Sequence, residues 1–335
     1  MTDYFSLTPA QQRTIIEQTQ NRLGLPLQAV EKDLWVTCIL QVLFSLDIST
    51  NIIFKGGTSL SKFGNLIERF SEDIDIAIDP STYGLIGDLT KKQLKNLRKR
   101  SSLYVKDVLS IALQDGLKKY GIMDKLTIEV EPEGEGDATY PEPRRIYITY
   151  QSLFSDTLDY LRNVVVLEIG SRSLMEPTVK IPVQTIIGNT FPNVNTSLTT
   201  PVITTAAPAK TFVEKLCLLH ELFSIERESI TANRRSRHLY DLERMMDHDF
   251  AKEAMKDDAL WGSIIHHRAV FTSMKGVDYS TDFRKTIVLC PPVHVLTEWE
   301  KDYKEMCGTM IYGEKLPFDK LLERIKELEN RFHTL

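Results

Sequence analysis

The chain has 335 residues, 42% hydrophobic and 26% charged, with a formal net charge of -5. No apolar run nears the ~20 residues of a membrane-spanning helix, and the start "MTDYFSLTPAQQRTIIEQTQ" lacks the basic, apolar and small-residue segments of a secretory leader. A cytoplasmic globular protein of about two domains is expected, without indiscriminate nucleic-acid binding, although a local basic face remains compatible with the charge.

Residues 9 to 45 read as two helices, broken at Gly24-Leu25-Pro26 and then resuming apolar 3.6-residue spacing. "NIIFKGG" follows as a strand running into paired glycines, then a helix near Phe63 to Ile67 and a strand over 73 to 78. "TKKQLKNLRKRSSLYVKDVLSIALQDGLKKYG" predicts one long helix, basic in its first half and closed by Gly121. Three β-rich runs come next, "KLTIEVEPE", "RRIYITYQSL" and "NVVVLEIGSR", with a polar loop at 132 to 143. From about residue 205 helical periodicity dominates, "TIVLC" being the one strand-like exception, and the Thr/Pro/Ala-rich "TSLTTPVITTAAPA" reads as a hinge. An α+β half over 1-200 followed by a helical domain over 201-335 is the expected organisation.

Cys38, Cys217, Cys290 and Cys307 have no paired spacing, so neither a disulfide framework nor structural zinc is expected. The chemistry concentrates in "FKGGTSLSKFGNLIERFSEDIDIAI", residues 54 to 78. A strand alternates its side chains, so Asp73 and Asp75 share one face while Ile74, Ile76 and Ile78 line the other. Two carboxylates on one face need a cation or donors, and a divalent metal meets that need most simply. A glycine pair followed by Thr58 and Ser59 at a helix start suits a phosphate. A cradle beside two acids is apparatus for a metal-bound nucleoside triphosphate. Metal-assisted phosphoryl chemistry commonly uses a third acid, and Glu168, the one charge in "NVVVLEIG", is a candidate. Glu129 competes, but its alternation with Thr127 and Glu131 reads as a solvated strand face.

The glycine pair, then acid-x-acid on a strand, then a later strand acid resembles the nucleotidyltransferase fold of the DNA polymerase β superfamily. "EKDLWVTCIL", "FKGGTSLSK", "RFSEDIDIAI", "KTFVEKLCLLHEL", "SRHLYDLERM" and "HRAVF" followed by "VDYS" resemble the AbiEii/AbiGii family of toxin nucleotidyltransferases over nearly the whole chain. The resemblance implies a mixed sheet with flanking helices and a C-terminal helical domain. It also implies transfer of NMP from a magnesium-bound (or manganese-bound) NTP, and an antitoxin encoded nearby. Gly56, Gly57, Thr58 and Ser59 would hold the triphosphate, with Lys62, Arg69 and Ser71 as further nucleotide contacts, and Asp73 and Asp75 would bind the metal. Lys215 matches the family lysine near the phosphates. Asp241 matches the family's second-domain acid, a metal ligand or base, so Glu168 and Asp241 compete for the third-acid role.

From the residues alone, Lys215 reads as a snorkelling lysine and Asp241 as one half of a surface pair with His238 or Arg237. Arg69 and Ser71 fit phosphate neutralisation or local capping equally well. Adjacent His266 and His267 point about 100° apart on a helix and are packing or surface residues rather than ligands. The basic tracts Lys91, Lys92, Lys95, Arg98, Lys99, Arg100 and Arg234, Arg235, Arg237 would suit the phosphate backbone of a tRNA, and the family resemblance implies its 3' end as the acceptor. A protein hydroxyl is the alternative acceptor, and a non-catalytic NTP-binding module the alternative class.

Overall fold

A computed structural model describes residues 2–64, 66–70, 73–154, 162–224 and 230–334. The chain packs as two compact units: Met1–Lys62 with Phe70–Thr205, and Phe63–Arg69 with Ala206–Leu335. The chain thus leaves the first unit after Lys62, lends seven residues to the second, and returns. Among the described residues no helix is long and apolar enough to cross a membrane.

The first unit opens with β1 (Thr2–Asp3) and α1 (Pro9–Leu23). Helix α1 starts at a Thr8–Gln11 capping box with proline in its first turn and stops at Gly24, whose φ of 70° only glycine adopts cheaply. In α2 (Leu27–Leu43) apolar residues occur all round the helix and nearly every position is buried, as a central helix requires. Then come β2 (Ile52–Lys55), α3 (Gly56–Lys62), β3 (Asp73–Ile78), α4 (Lys91–Tyr104) and α5 (Ser110–Lys119). The long basic-to-amphipathic helix is α4 and α5 joined through a π-helical turn at Val105–Leu109. β4 (Leu126–Val130), β5 (Arg144–Tyr150), β6 (Val164–Gly170), β7 (Thr178–Pro182), α6 (Ile186–Thr190), β8 (Val194–Asn195) and β9 (Val202–Ala206) follow.

Seven strands form one mixed sheet in the order β4-β5-β6-β3-β2-β9-β7, and β1 pairs with β8 separately. β3 lies near the middle, antiparallel to β2 and parallel to β6. Its apolar residues Ile74, Ile76 and Ile78 are fully buried. Strand β6 alternates in the same way, with Val165, Leu167 and Ile169 in the core.

The second unit holds α7 (Pro208–Phe223), α8 (Ser236–Met245), α9 (Asp249–Lys256), α10 (Asp258–Phe271), α11 (Leu296–Thr309) and α12 (Phe318–His333). Its core gathers Phe212, Leu216, Leu239, Trp261, Trp299 and Leu328, all at most 1% exposed.

Three expectations change. The helix expected near Phe63 to Ile67 lies earlier, at 56–62, because Gly56 at φ 79° turns the strand straight into a helix and Gly64 at φ 62° ends it. The expected hinge holds the boundary between the two units, at Thr205 and Ala206, but it also contains β9, which joins the sheet parallel to β2 with Thr205 opposite Phe54 and the Thr205 hydroxyl donating to the Phe54 carbonyl at 2.8 Å. "TIVLC" is no strand. The Val288 N–H donates to His220 Nδ1 at 3.2 Å and the Leu289 N–H to the Glu329 carboxylate at 2.8 Å, so side chains satisfy the backbone that a ladder would have paired.

Candidate active site

Strand register assembles the first unit's charges. Lys55, Asp75, Glu168 and Arg145 stand directly opposite one another across β2, β3, β6 and β5, so they share one face of the sheet. Glu131, just past β4, extends the row through Arg145 Nη1 at 3.4 Å. Asp75 and Glu168 are neighbours of like charge, which costs energy on adjacent strands, and the flanking cations offset it. Arg145 Nε donates to Glu168 Oε1 at 2.7 Å, while Lys55 Nζ stands 4.0 Å from Asp75 Oδ1. The acids are not in the core: the Asp75 and Glu168 side chains are 25% and 24% exposed. Asp73 lies two residues before Asp75 on the same face.

Gly56 makes room for Asp75. A Cβ at position 56 would stand 2.0 Å from Asp75 Oδ2, and the φ of 79° independently disfavours any other residue. The first glycine therefore lets a carboxylate lie against the backbone, and Gly57 is buried behind it. Thr58 and Ser59 are buried, and their hydroxyls donate to the Asp73 carbonyl at 2.6 Å and the Gly56 carbonyl at 2.8 Å. Those bonds tie α3 to β3 and fix the turn. The Lys62 ammonium is engaged by Asp33, by Thr37 Oγ1 at 2.8 Å and by the Gln184 carbonyl at 3.2 Å, which fastens α3 to α2. "EKDLWVTCIL" supplies this anchor and a second one: Glu31 accepts from the Ser152 hydroxyl at 2.6 Å and the Leu153 N–H at 2.7 Å.

Asp73 and Asp75 offer hard oxygen donors on one face, next to a cradle that a side chain at 56 would fill, and this donor set fits a divalent cation such as magnesium. Glu168 is held by Arg145. Among the described residues no group of three His, Cys, Asp or Glu side chains could hold an ion together. Glu129 is exposed. Ser71 lies outside the described residues.

The second unit carries a different cluster. Asp241 is fully buried, and Arg69, 1% exposed, grips it in a two-point fork through Nε at 2.7 Å and Nη2 at 2.8 Å. Lys215 Nζ reaches Asp241 Oδ2 at 2.8 Å and His238 Nδ1 at 3.3 Å. Neither residue behaves as its local sequence suggested: Asp241 is no surface pair, and Lys215, 8% exposed, does not snorkel. Burial alone would raise the Asp241 carboxyl, but Arg69 and Lys215 overcome it and hold the group well below the carboxylate range. Burial, with Arg69 adding to it, draws the Lys215 ammonium below its ordinary value against the pull of Asp241. His238, read from the sequence only as a surface partner of Asp241, is kept neutral by burial and by Lys215 and Arg237. An ammonium only donates, so His238 Nδ1 accepts.

"HRAVF" and "VDYS" also find a place in this unit. Buried Glu221 is bound by Arg268, with Nε at 2.7 Å, and by the Tyr279 hydroxyl at 2.8 Å, which fastens α7 to α10 and the following loop. His267 stacks on Phe271, a packing residue as expected.

Neutral imidazoles make this unit acid-sensitive. Burial lowers His220 and His238, and lowers His267 to about 4. The unfolded chain takes up these protons near pH 6.5 and the folded chain resists them, so stability is full above 6.5 and falls as pH drops toward the folded values. Between pH 7 and 5 the His267 contribution is expected to be about 1–2 kcal/mol. Melting curves of wild type and His267→Gln check this, and equal slopes against pH would contradict it.

The model of the AbiEii family, nucleotidyl transferase toxins of Type IV toxin–antitoxin systems, matches residues 40–324, and the chain belongs to that family. The protein is accordingly a toxin nucleotidyltransferase that uses an NTP and has an antitoxin partner. Solved structures similar to it include MenT4, nucleotidyltransferase toxin Rv2826c from Mycobacterium tuberculosis H37Rv, at 19% identity over 98% of this chain and 99% of that one, TM-score 0.44. JHP933 from Helicobacter pylori is 14% identical over 92% and 94% of the two chains, TM-score 0.47. No curated protein matches the chain.

Proposed function

We propose that the enzyme moves NMP from a magnesium-bound NTP onto an RNA hydroxyl, the 3' end of a tRNA being the favoured acceptor. In the reaction the acceptor hydroxyl gives up its proton to solvent water as its oxygen bonds to the α-phosphorus, the bond to the bridging oxygen breaks, and pyrophosphate leaves with the electron pair. Asp73 and Asp75 would hold the metal, which supplies charge neutralisation at the phosphates. Lys215 would bind a phosphate oxygen. Asp241, clamped by two cations and strongly acidic, is better suited to holding Lys215 and Arg69 in place than to accepting a proton. Arg145 leaves Glu168 in a supporting role.

The observation that carries the acceptor assignment is α4. Lys91, Lys92, Lys95, Lys99 and Arg100 are exposed, and its 14 residues include no acid. Two members are partly structural: Arg98 donates to the Tyr140 carbonyl at 2.6 Å and Arg100 to the Tyr83 carbonyl at 2.6 Å. The free lysines are the ones to test. Labelled NTP, magnesium and total RNA should give labelled RNA. Lys92→Glu with Lys95→Glu should weaken RNA binding and reduce its salt dependence by about two phosphate contacts. Unchanged affinity and salt slope would reject this surface, and label appearing in a protease-sensitive band would move the acceptor to a protein hydroxyl.

A further inference from the structure

The nucleotide reading assigns no role to Lys55, the cation at the Asp75 end of the charged row. It ends β2, directly opposite Asp75 and immediately before Gly56. Its ammonium lies 4.0 Å from Asp75 Oδ1, close enough for attraction and too long for a hydrogen bond, so that oxygen is not tied up. The side chain is 29% exposed, on the face that carries the acids. Glu168, the next acid along the row, is bound to Arg145 at 2.7 Å. Among the described residues no third carboxylate joins Asp73 and Asp75 to build a second ion site.

We infer that Lys55 is the second cation of this site. Its ammonium supplies beside Asp75 the positive charge that a second divalent ion supplies in two-metal phosphoryl transfer, so that one ion on Asp73 and Asp75 suffices. The inference rests on those two aspartates holding the metal. A lysine suits this role because it is a compact point charge on a flexible stem, able to follow a phosphate oxygen without a fixed coordination geometry. Arg145, fixed between Glu168 and Glu131, cannot do the same for Asp75. Lys55 exchanges no proton in this role and acts by charge alone.

The test combines manganese binding with turnover, on the full-length chain. Electron paramagnetic resonance with one equivalent of an α,β-non-hydrolysable NTP should count one Mn2+ per wild-type complex. Removing a positive charge from beside a metal ligand should tighten binding of Mn2+ alone by about tenfold in Lys55→Met and Lys55→Gln. Pyrophosphate release by the same variants should fall by about 100-fold, and Lys55→Arg should recover much of it. Two ions per wild-type complex would overturn the inference, as would unchanged Mn2+ affinity in the folded variants. Tighter Mn2+ with undiminished release would also overturn it, reducing Lys55 to a place-holder displaced by the metal. If wild type releases no pyrophosphate with any RNA, the acceptor assignment has failed, and the Mn2+ affinity and count still decide the role of Lys55.

Discussion

Replacing Asp75 with asparagine is expected to lower NMP transfer by about 1,000-fold or more while leaving the melting temperature nearly unchanged. The two halves of that expectation have separate causes. Asp75 is a quarter exposed and faces Lys55 across 4.0 Å, so its charge contributes little to the fold, as half-exposed pairs generally do. Removing it also relieves its repulsion with Glu168 on the neighbouring strand. Asparagine keeps the shape that fits against Gly56. What it loses is a charged oxygen for the metal, and a carbonyl is a much weaker ligand for a hard cation. Pyrophosphate release and thermal melting, measured side by side, check both halves. Transfer within tenfold of wild type would remove Asp75 from the metal site. The same contrast is expected for Asp73→Asn, whose backbone carbonyl keeps its bond from Thr58 whatever the side chain.

The second large effect falls on the other unit and is one of stability. Asp241→Ala leaves Arg69 and Lys215, at 1% and 8% exposure, without the carboxylate that accepts from both. Unpairing buried charges in this way costs about 3–5 kcal/mol. Asp241→Asn should cost less, because its amide oxygen still accepts one bond. Coupling is the sharper measurement: Asp241→Leu combined with Arg69→Met should be less destabilising than the sum of the single changes, since each single change strands a partner that the double removes. Strict additivity in denaturant unfolding would mean that the fork contributes nothing as a unit.

Local pattern along the chain is enough to specify the strand at 73–78, its acid-x-acid face, the buried isoleucines behind it and the helical C-terminal half. All of these follow from local periodicity, which depends only on neighbours along the chain. Even the family segments were legible there, because their spacing survives as a linear pattern. Other features needed the chain to close on itself. β9 reads as part of a hinge because the stretch around it is rich in threonine, proline and alanine, and only pairing with β2 makes it a strand. "TIVLC" looked like a strand until His220 and Glu329, distant in sequence, took its N–H groups. The row from Lys55 to Glu131 depends on the register of five consecutive segments of sheet, and a slip of one residue would turn each side chain to the other face. Lys62 sits beside the glycine motif, and only the folded chain shows that its ammonium meets Asp33. Lys215 and Asp241 read locally as surface residues; in the folded chain they pair across α7 and α8, and Arg69, which the chain carries into the second unit, completes the buried cluster. The residue types of a charged site can be read along a sequence, but which charge meets which is decided by long-range closure, because Coulomb energy depends on distance in space.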